Sequence, residues 1–153
     1  MRRTARFLCS AAAVLGLTAC GSQGAPTTTT PPSVFPLTIT RTGGIAGFQD
    51  VLVVSSDGLV SVTQKGHAPR QCRLNPDAAK RLTTGAAKVP WTRLTPGSTT
   101  ASFPDDLITM VLSPVGGPVR VEDPQVGAAG AVFNELVNDL NGGRSASGMC
   151  TPV

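Results

Sequence analysis

LTITRTGGIAGFQDVLVVSSDGLVSVTQ, residues 37–64, contains the patterns that decide the fold. Apolar and polar side chains alternate along residues 37–41, which predicts a strand with one buried face. Residues 51–55 are apolar on both faces, as is typical of a central strand. The Ser-Asp-Gly sequence at 56–58 favours a hairpin turn, after which residues 59–64 return as a third strand. This stretch therefore predicts the core of an antiparallel sheet.

The first helix is predicted directly downstream of the strands. Asn75 is a suitable N-cap, and Pro76 suits the first helical position. Apolar residues then recur at helical spacing at Ala78, Leu82 and Ala86. The glycine that precedes Ala86 is Gly85, and we expect it to end or weaken the helix.

A second hairpin and a second helix complete the predicted fold. Residues 107–112 and 119–122 read as two strands across a Pro-Val-Gly-Gly turn at 114–117. Asp123-Pro124 is expected to open the second helix, with Gly127 and Gly130 favouring a break near its start. Its apolar stripe is Ala129, Phe133, Leu136, Val137 and Leu140. The prediction is an α+β domain, with an antiparallel sheet of four to five strands and two helices packed on one face.

Residues 1–19 have the order of a bacterial lipoprotein signal peptide. Three arginines within the first six residues precede the apolar run 7–17, and Leu-Thr-Ala leads to Cys20. Eleven apolar residues span only about 16 Å as a helix, too short to cross a bilayer. The ending resembles a lipobox, so we expect Cys20 to receive a diacylglycerol, with palmitate-like acyl chains as the membrane anchor. The alternative is an ordinary export signal with a chance cysteine.

Residues 20–36 follow the signal and read as a tether. After Cys20 the segment is GSQGAPTTTTPPSVFP, which has no charge and few bulky side chains, so its backbone is expected to be extended and solvated. The globular domain is then residues 37–153. These boundaries place the domain on the extracytoplasmic face of the cell membrane, in the bacterial envelope, held by lipid.

The charge balance argues against nucleic acid as a partner. The chain carries a formal charge of +4, but Arg2, Arg3 and Arg6 belong to the predicted signal peptide. Without them, ten basic residues face nine acidic ones. A nearly neutral domain has no basic footprint for phosphate backbones.

Two cysteines remain in the expected mature domain, because Cys9 leaves with the signal and Cys20 is lipidated. In an oxidising compartment, Cys72 and Cys150 are expected to form a disulfide that pins the C-terminal tail to the domain. Metal ligation and catalysis are the alternatives. The two cysteines lack CxxC spacing, and a nucleophilic cysteine would need His67, the only histidine.

The sequence contains few residues or motifs typical of an enzyme, and no cofactor or metal site is implied. No tyrosine, HExxH or G-x-S-x-G sequence is present. We interpret His67 as an exposed loop residue, and Trp91 as an aromatic that packs over the first helix. Asp105 and Asp106 are adjacent, so a strand would direct them to opposite faces, and we interpret them as the solvated start of the fourth strand.

A glycine-rich loop joins the first two strands and is the main candidate for function. Its glycines allow positive φ and close approach to another surface. Two apolar residues, Ile45 and Phe48, stand in a connection that should face solvent. They either fold back to plug the end of the sheet or anchor the loop in the pocket of a partner. The candidate contact residues are Gly43, Gly44, Ile45, Ala46, Gly47 and Phe48.

The glycine-rich loop and its surroundings resemble the opening of emfourin, the protealysin inhibitor family. The similar residues are RTGGIAGF at 41–48, followed by an apolar strand and an Asp-Gly hairpin. Members tend to carry a Ser-Gly-Gly-Phe-Ala-Gly type sequence here, so Thr42 replaces the serine and Ile45 the aromatic residue. Leu-Asn-Pro at 74–76 and Pro-Asp at 104–105 are also similar to later elements of the family. The resemblance covers residue 37 to about residue 140 and implies non-covalent inhibition of thermolysin-type metallopeptidases.

Three functional hypotheses follow. The leading one is a lipid-anchored, emfourin-like domain that binds a secreted or surface metallopeptidase and blocks its cleft through residues 43–48. The second is an envelope scaffold or ligand-binding lipoprotein without a peptidase target. An enzyme that depends on His67 is the third, so the expectation is that the protein is not an enzyme.

Overall fold

The computed structural model describes residues 32–97, 102–103, 105–141 and 148–153. The predicted signal peptide, Cys20 and the tether up to residue 31 lie outside these residues. The helices are α1 (Pro76–Lys88) and α2 (Ala128–Asn141). The strands are β1 (Leu37–Gly43), β2 (Phe48–Val54), β3 (Leu59–Gln64), β4 (Arg70–Leu74), β5 (Leu107–Ser113), β6 (Gly116–Arg120) and β7 (Cys150–Pro152).

The strands form one antiparallel sheet in the order β6-β5-β1-β2-β3-β4-β7. The predicted α+β class is confirmed, and the five predicted strands are all present. The sheet has seven strands rather than four to five because β4 and β7 add to one side of it. β4 pairs locally with β3 but has little apolar alternation, and the three-residue β7 pairs with β4 from far along the chain.

The core lies between the helices and one face of the sheet, which we call the inner face. Along β1 this face presents Leu37, Ile39 and Arg41, all buried. Phe133 and Leu136 of α2 are fully buried in the same cluster. Val34 and Phe35, which belong to the segment predicted as a tether, also pack against this cluster. The packed part of the chain therefore includes residues just before β1.

The start of α1 follows the sequence prediction, and its end does not. The Asn75 side chain accepts a hydrogen bond from the Ala78 N–H at 2.8 Å, ahead of Pro76 at the first helical position. The expectation that Gly85 ends the helix is wrong, since α1 continues to Lys88. A Cβ added at Gly85 would lie 3.3 Å from the Cα of Ala129. The glycine therefore allows the two helices to approach closely.

α2 begins at Ala128 rather than at Asp123-Pro124. The Asp123 carboxylate accepts from the Gln125 N–H at 2.8 Å, which makes a local turn. Gly127 then takes a φ of +58°, outside the helical range, so the helix starts after it. The residues from Asp123 to Gly127 form turns rather than a helical segment, and Gly130 lies within the helix without a break. In the predicted stripe four residues are buried and Leu140 is half-buried.

An exposed ion pair joins the two helices on their solvent side. Arg81 of α1 donates hydrogen bonds to both carboxylate oxygens of Glu135 of α2. The hydrogen bonds and the charge of the guanidinium lower the pKa of Glu135. The same hydrogen bonds and the charge of the carboxylate raise the pKa of Arg81.

The predicted disulfide and the predicted position of Trp91 are both confirmed. Cys72 of β4 is bonded to Cys150 of β7, with their Cα atoms 5.6 Å apart. This bond holds the C-terminal strand on the sheet, as expected. Trp91 is buried, and its Nε1 donates to the Ala86 carbonyl at 2.7 Å near the end of α1.

Candidate functional site

The glycine-rich loop forms a tight turn between β1 and β2. Gly43 and Phe48 are paired at the ends of the two strands, so the turn itself is residues 44–47. The Gly47 N–H donates to the Gly44 carbonyl at 2.9 Å and closes the turn. The Gly44 N–H donates to the Asp106 carbonyl at 3.0 Å, which ties the turn to the segment before β5.

Gly43 is required by the geometry of this turn. Its φ is +86°, a conformation that residues with a side chain rarely adopt. A Cβ added at Gly43 would lie 2.2 Å from the carbonyl oxygen of Asp106, far inside van der Waals contact. The backbones of the two segments therefore approach as closely as they do because this residue is glycine.

The structure separates the two apolar residues proposed as anchors. The side chain of Ile45 is 91% exposed at the top of the turn. Phe48 is half-buried, and the guanidinium of Arg41 lies over its ring at 3.9 Å from the centroid. Ile45 thus projects into solvent, whereas Phe48 packs at the base of the turn and supports it.

A buried ion pair lies beneath the turn on the inner face. Arg41 Nε donates to Asp50 Oδ2 at 3.0 Å, and both side chains are more than nine-tenths buried. Gln64 Nε2 donates to the other carboxylate oxygen, Asp50 Oδ1, at 3.3 Å. Gln64 also donates to the side-chain oxygen of Asn141, at the end of α2. These four residues connect the base of the turn to β3 and α2.

Strand register brings this polar network together. Arg41 is paired with Asp50, and Asp50 with Gln64, so the three residues form one row across β1, β2 and β3. The sequence analysis did not identify this row. A usable signal was present, because Arg41 follows Leu37 and Ile39 in the buried alternation of the first strand and an acidic residue stands opposite it once the turn is placed.

A second segment lies beside the turn. The Asp106 carboxylate accepts hydrogen bonds from the Ser102 N–H at 2.7 Å and the Phe103 N–H at 2.9 Å. Asp106 is half-buried and Asp105 is exposed, so only Asp105 is a simple solvated residue of the kind predicted. The side chain of Phe103 is 70% exposed, and that of Leu107 is 46% exposed. Sequence analysis did not select either of these apolar residues.

His67 is exposed, as predicted, and lies at a small cavity behind the turn. The cavity measures about 360 Å³ and is bounded by the turn, by the polar row and by Lys65 and Arg70. A larger cavity of about 730 Å³ lies beside β3 and β4, near the disulfide, with Val62, Leu140 and Val153 among its apolar walls. Arg70 borders both cavities and donates to the carbonyl of Leu140.

Within the described ranges, no cluster of three or more His, Cys, Asp or Glu side chains has the arrangement of a metal site. No helix in the same ranges is long and apolar enough to cross a bilayer. The sequence matches no protein-family model, and comparisons with curated proteins and with solved structures find no similar protein. At the β1–β2 turn the chain presents one projecting apolar side chain, Ile45, on a backbone that hydrogen bonds hold in place.

Proposed function

We propose that this protein inhibits a thermolysin-type metallopeptidase by inserting the β1–β2 turn into the cleft of the enzyme. The proposal rests on the exposure of Ile45, which is 91% accessible on a turn of four residues. Exposure of a branched apolar side chain to water is unfavourable, and binding in an apolar pocket would remove that cost in free energy. The resemblance of residues 41–48 to the emfourin family supports the same target class.

The support beneath Ile45 suits it to binding. Two backbone hydrogen bonds hold the turn, at 2.9 Å within it and at 3.0 Å to Asp106. The Arg41–Asp50 pair and the ring of Phe48 fill the space below. A loop that is already ordered loses little conformational entropy on binding, so more of the contact energy contributes to affinity. Inhibition by this route is non-covalent and uses no cofactor.

Ile45→Ala should weaken inhibition by about 50-fold. The change removes three carbons from the proposed pocket, and each buried CH₂ contributes about 0.8 kcal/mol. The inhibition constants of the mature, detergent-solubilised protein and the variant would be measured against several thermolysin-type enzymes with a fluorogenic peptide. Val153→Ala is the matched control, since Val153 is 72% exposed on β7's side of the sheet and should leave inhibition unchanged.

The location of the protein is a separate part of the proposal. We propose that Cys20 carries the lipid and that residues 20–36 link it to the domain on the outer side of the membrane. The turn lies at the opposite end of β1 from Leu37, the first residue of that strand. Two or three acyl chains hold a protein firmly to a bilayer.

The Cys20→Ser variant has no thiol to accept the lipid. It should therefore leave the membrane fraction for the medium, or keep its signal peptide uncleaved. The test is metabolic labelling with a palmitate analogue, followed by mass spectrometry of the purified protein. A labelled wild type and an unlabelled variant are expected. An unmodified Cys20 in the wild type would contradict the anchor and leave the inhibitor proposal to be judged by its own assay.

A ligand-binding envelope lipoprotein is the second candidate. The cavity of about 730 Å³ beside β3 and β4 favours it, because this volume lies in the range of small-molecule sites. The Ile45 experiment separates the two candidates. A folded wild-type protein that inhibits none of the enzymes at micromolar concentration would contradict the inhibitor proposal and leave the cavity as the better-supported site.

A further inference from the structure

Exposed apolar side chains gather around the β1–β2 turn. Among the described residues, the large hydrophobic side chains with high exposure are Ile45, Val51, Phe103, Leu107, Leu112 and Val153. Three of them, Ile45, Phe103 and Leu107, belong to the turn or to the segment hydrogen-bonded to it. We refer to these three residues as the apolar patch.

Asp106 connects the parts of the apolar patch. Its backbone carbonyl accepts from the Gly44 N–H at 3.0 Å, next to Ile45. Its carboxylate accepts from the N–H of Phe103 at 2.9 Å and from that of the preceding serine at 2.7 Å. One residue thus holds the backbone on both sides of the patch.

Leu107 lies between these two parts. It is paired with Gly43 in the β1–β5 register, so it sits at the base of the turn. A Cβ built on Gly44 would lie 3.5 Å from Leu107 Cδ1, which places the leucine side chain against the turn. Leu107 therefore stands at the base of the turn that carries Ile45, and it directly follows Asp106, which holds the segment that carries Phe103.

Ile45 alone offers too little area for a stable complex. A specific protein–protein interface buries roughly 800 Å² on each partner, whereas even an aromatic side chain buries only about 150–250 Å². Binding energy concentrates in a few large apolar groups near the centre of such an interface. A phenylalanine that is 70% exposed within a segment fixed to the turn is suited to supply a second such group.

We infer that the peptidase is bound through the whole apolar patch, with Phe103 as a second anchor on an apolar wall of the cleft. Asp106 is a positioning residue that sets where Phe103 stands relative to Ile45. This inference rests on the proposed function and extends it from one loop to two. The occupant of the patch is the substrate-binding cleft of the enzyme, whose apolar subsites complement uncharged side chains.

The first test compares three alanine variants in the same inhibition assay. Phe103→Ala should raise the inhibition constant about tenfold or more, and Leu107→Ala several-fold. Leu112→Ala is the matched control, because Leu112 is on the same strand as Leu107, is similarly exposed at 41%, and lies at the other end of β5. It should change the inhibition constant less than twofold.

The second test addresses Asp106 with a double-mutant cycle. In the wild-type background, Asp106→Ala should weaken inhibition about fivefold. In the Phe103→Ala background the same change should have almost no further effect, because Asp106 acts through Phe103. Asp106→Asn keeps an acceptor for the two N–H groups and should restore most of the inhibition. Equal losses in both backgrounds would overturn the positioning role, and urea midpoints of every variant identify any change in folding.

The outcomes distinguish this inference from the proposed function. If Ile45→Ala abolishes inhibition while Phe103→Ala and Leu107→Ala leave it unchanged, the two-loop interface is wrong and the inhibitor proposal stands. If the folded wild type inhibits no enzyme of the class, the proposed function fails and the inference fails with it. Losses at Ile45, Phe103 and Leu107 together, with none at Leu112, support the inference.

Discussion

The two ends of the sheet differ in the side chains that pack on the inner face. Each end has one row of inward-facing side chains, and the two rows are four residues apart on β1. The first row is Leu37, Val54, Val60 and Cys72, aliphatic apart from the disulfide. The second row is Arg41, Asp50 and Gln64, at the end that carries the turn. Apolar packing is non-directional and fixes a volume, whereas hydrogen bonds fix angles. The polar row stands where an exposed loop must be held in one orientation.

The largest loss of stability is expected from a change at the end of the sheet that carries the aliphatic row. Replacing both Cys72 and Cys150 by serine opens a loop with a sequence separation of 78 residues. The chain-entropy model gives a loss of about 4 to 5 kcal/mol in the free energy of unfolding. Urea denaturation of the variant and of the oxidised wild type measures this difference. A loss below about 1 kcal/mol would show that apolar packing alone holds β7 in place.

Asp50→Ala breaks the polar row and should cost about 3 to 5 kcal/mol of stability, because it leaves the Arg41 charge buried without its carboxylate. The double variant Arg41→Met with Asp50→Leu should recover most of this loss, since a well-packed apolar pair is often as stable as a buried ion pair. If the row orients the turn, the double variant will fold stably and still inhibit more weakly than the wild type. Undiminished inhibition would contradict that role.

Gly43→Ala tests the close approach of the turn to the Asp106 carbonyl, and its expected loss of stability is the smallest of the three. The variant combines backbone strain at a φ of +86° with a contact of 2.2 Å to the Asp106 carbonyl, and should lose about 2 kcal/mol or more. Gly66→Ala is the matched control, since Gly66 has a φ of +79° but nothing within 4 Å of an added Cβ. It should lose only about 1 kcal/mol, from strain alone. Equal losses at both positions would remove the case for close backbone approach at the turn.

Sequence patterns predicted the elements that are local in the chain. β3 occupies residues 59–64 as expected, and α1 begins at Asn75-Pro76, because alternation and capping are properties of neighbouring residues. Gly85 was misleading because its role depends on Ala129, which lies on the other helix. β4 forms a local hairpin with β3 but was missed because its sequence, RQCRL, has little apolar alternation. β7 was missed because it is short and pairs with a distant segment.

The candidate site was predicted in part for the same reason. The glycines and Ile45 are adjacent in sequence, so the turn was identifiable from composition. The roles of Asp50 and Gln64 follow only once the strand register is placed, and the contact of Asp106 with the turn is made by a backbone carbonyl, which residue type does not reveal. Phe103 is distant from the turn in sequence, and Asp106 links its backbone to the turn.

The position of β1 within the sheet has a consequence for how the chain reaches its native state. The first strand is flanked on one side by β2 and on the other by β5, where Thr38 meets Leu112. Likewise, Cys72 meets Pro152 near the C-terminus. Contacts between such distant residues raise the contact order, which slows folding relative to a protein built from local contacts. The sheet is therefore complete only once β5 has paired with β1 and β7 with β4, so segments far apart in the chain must meet before the fold is finished.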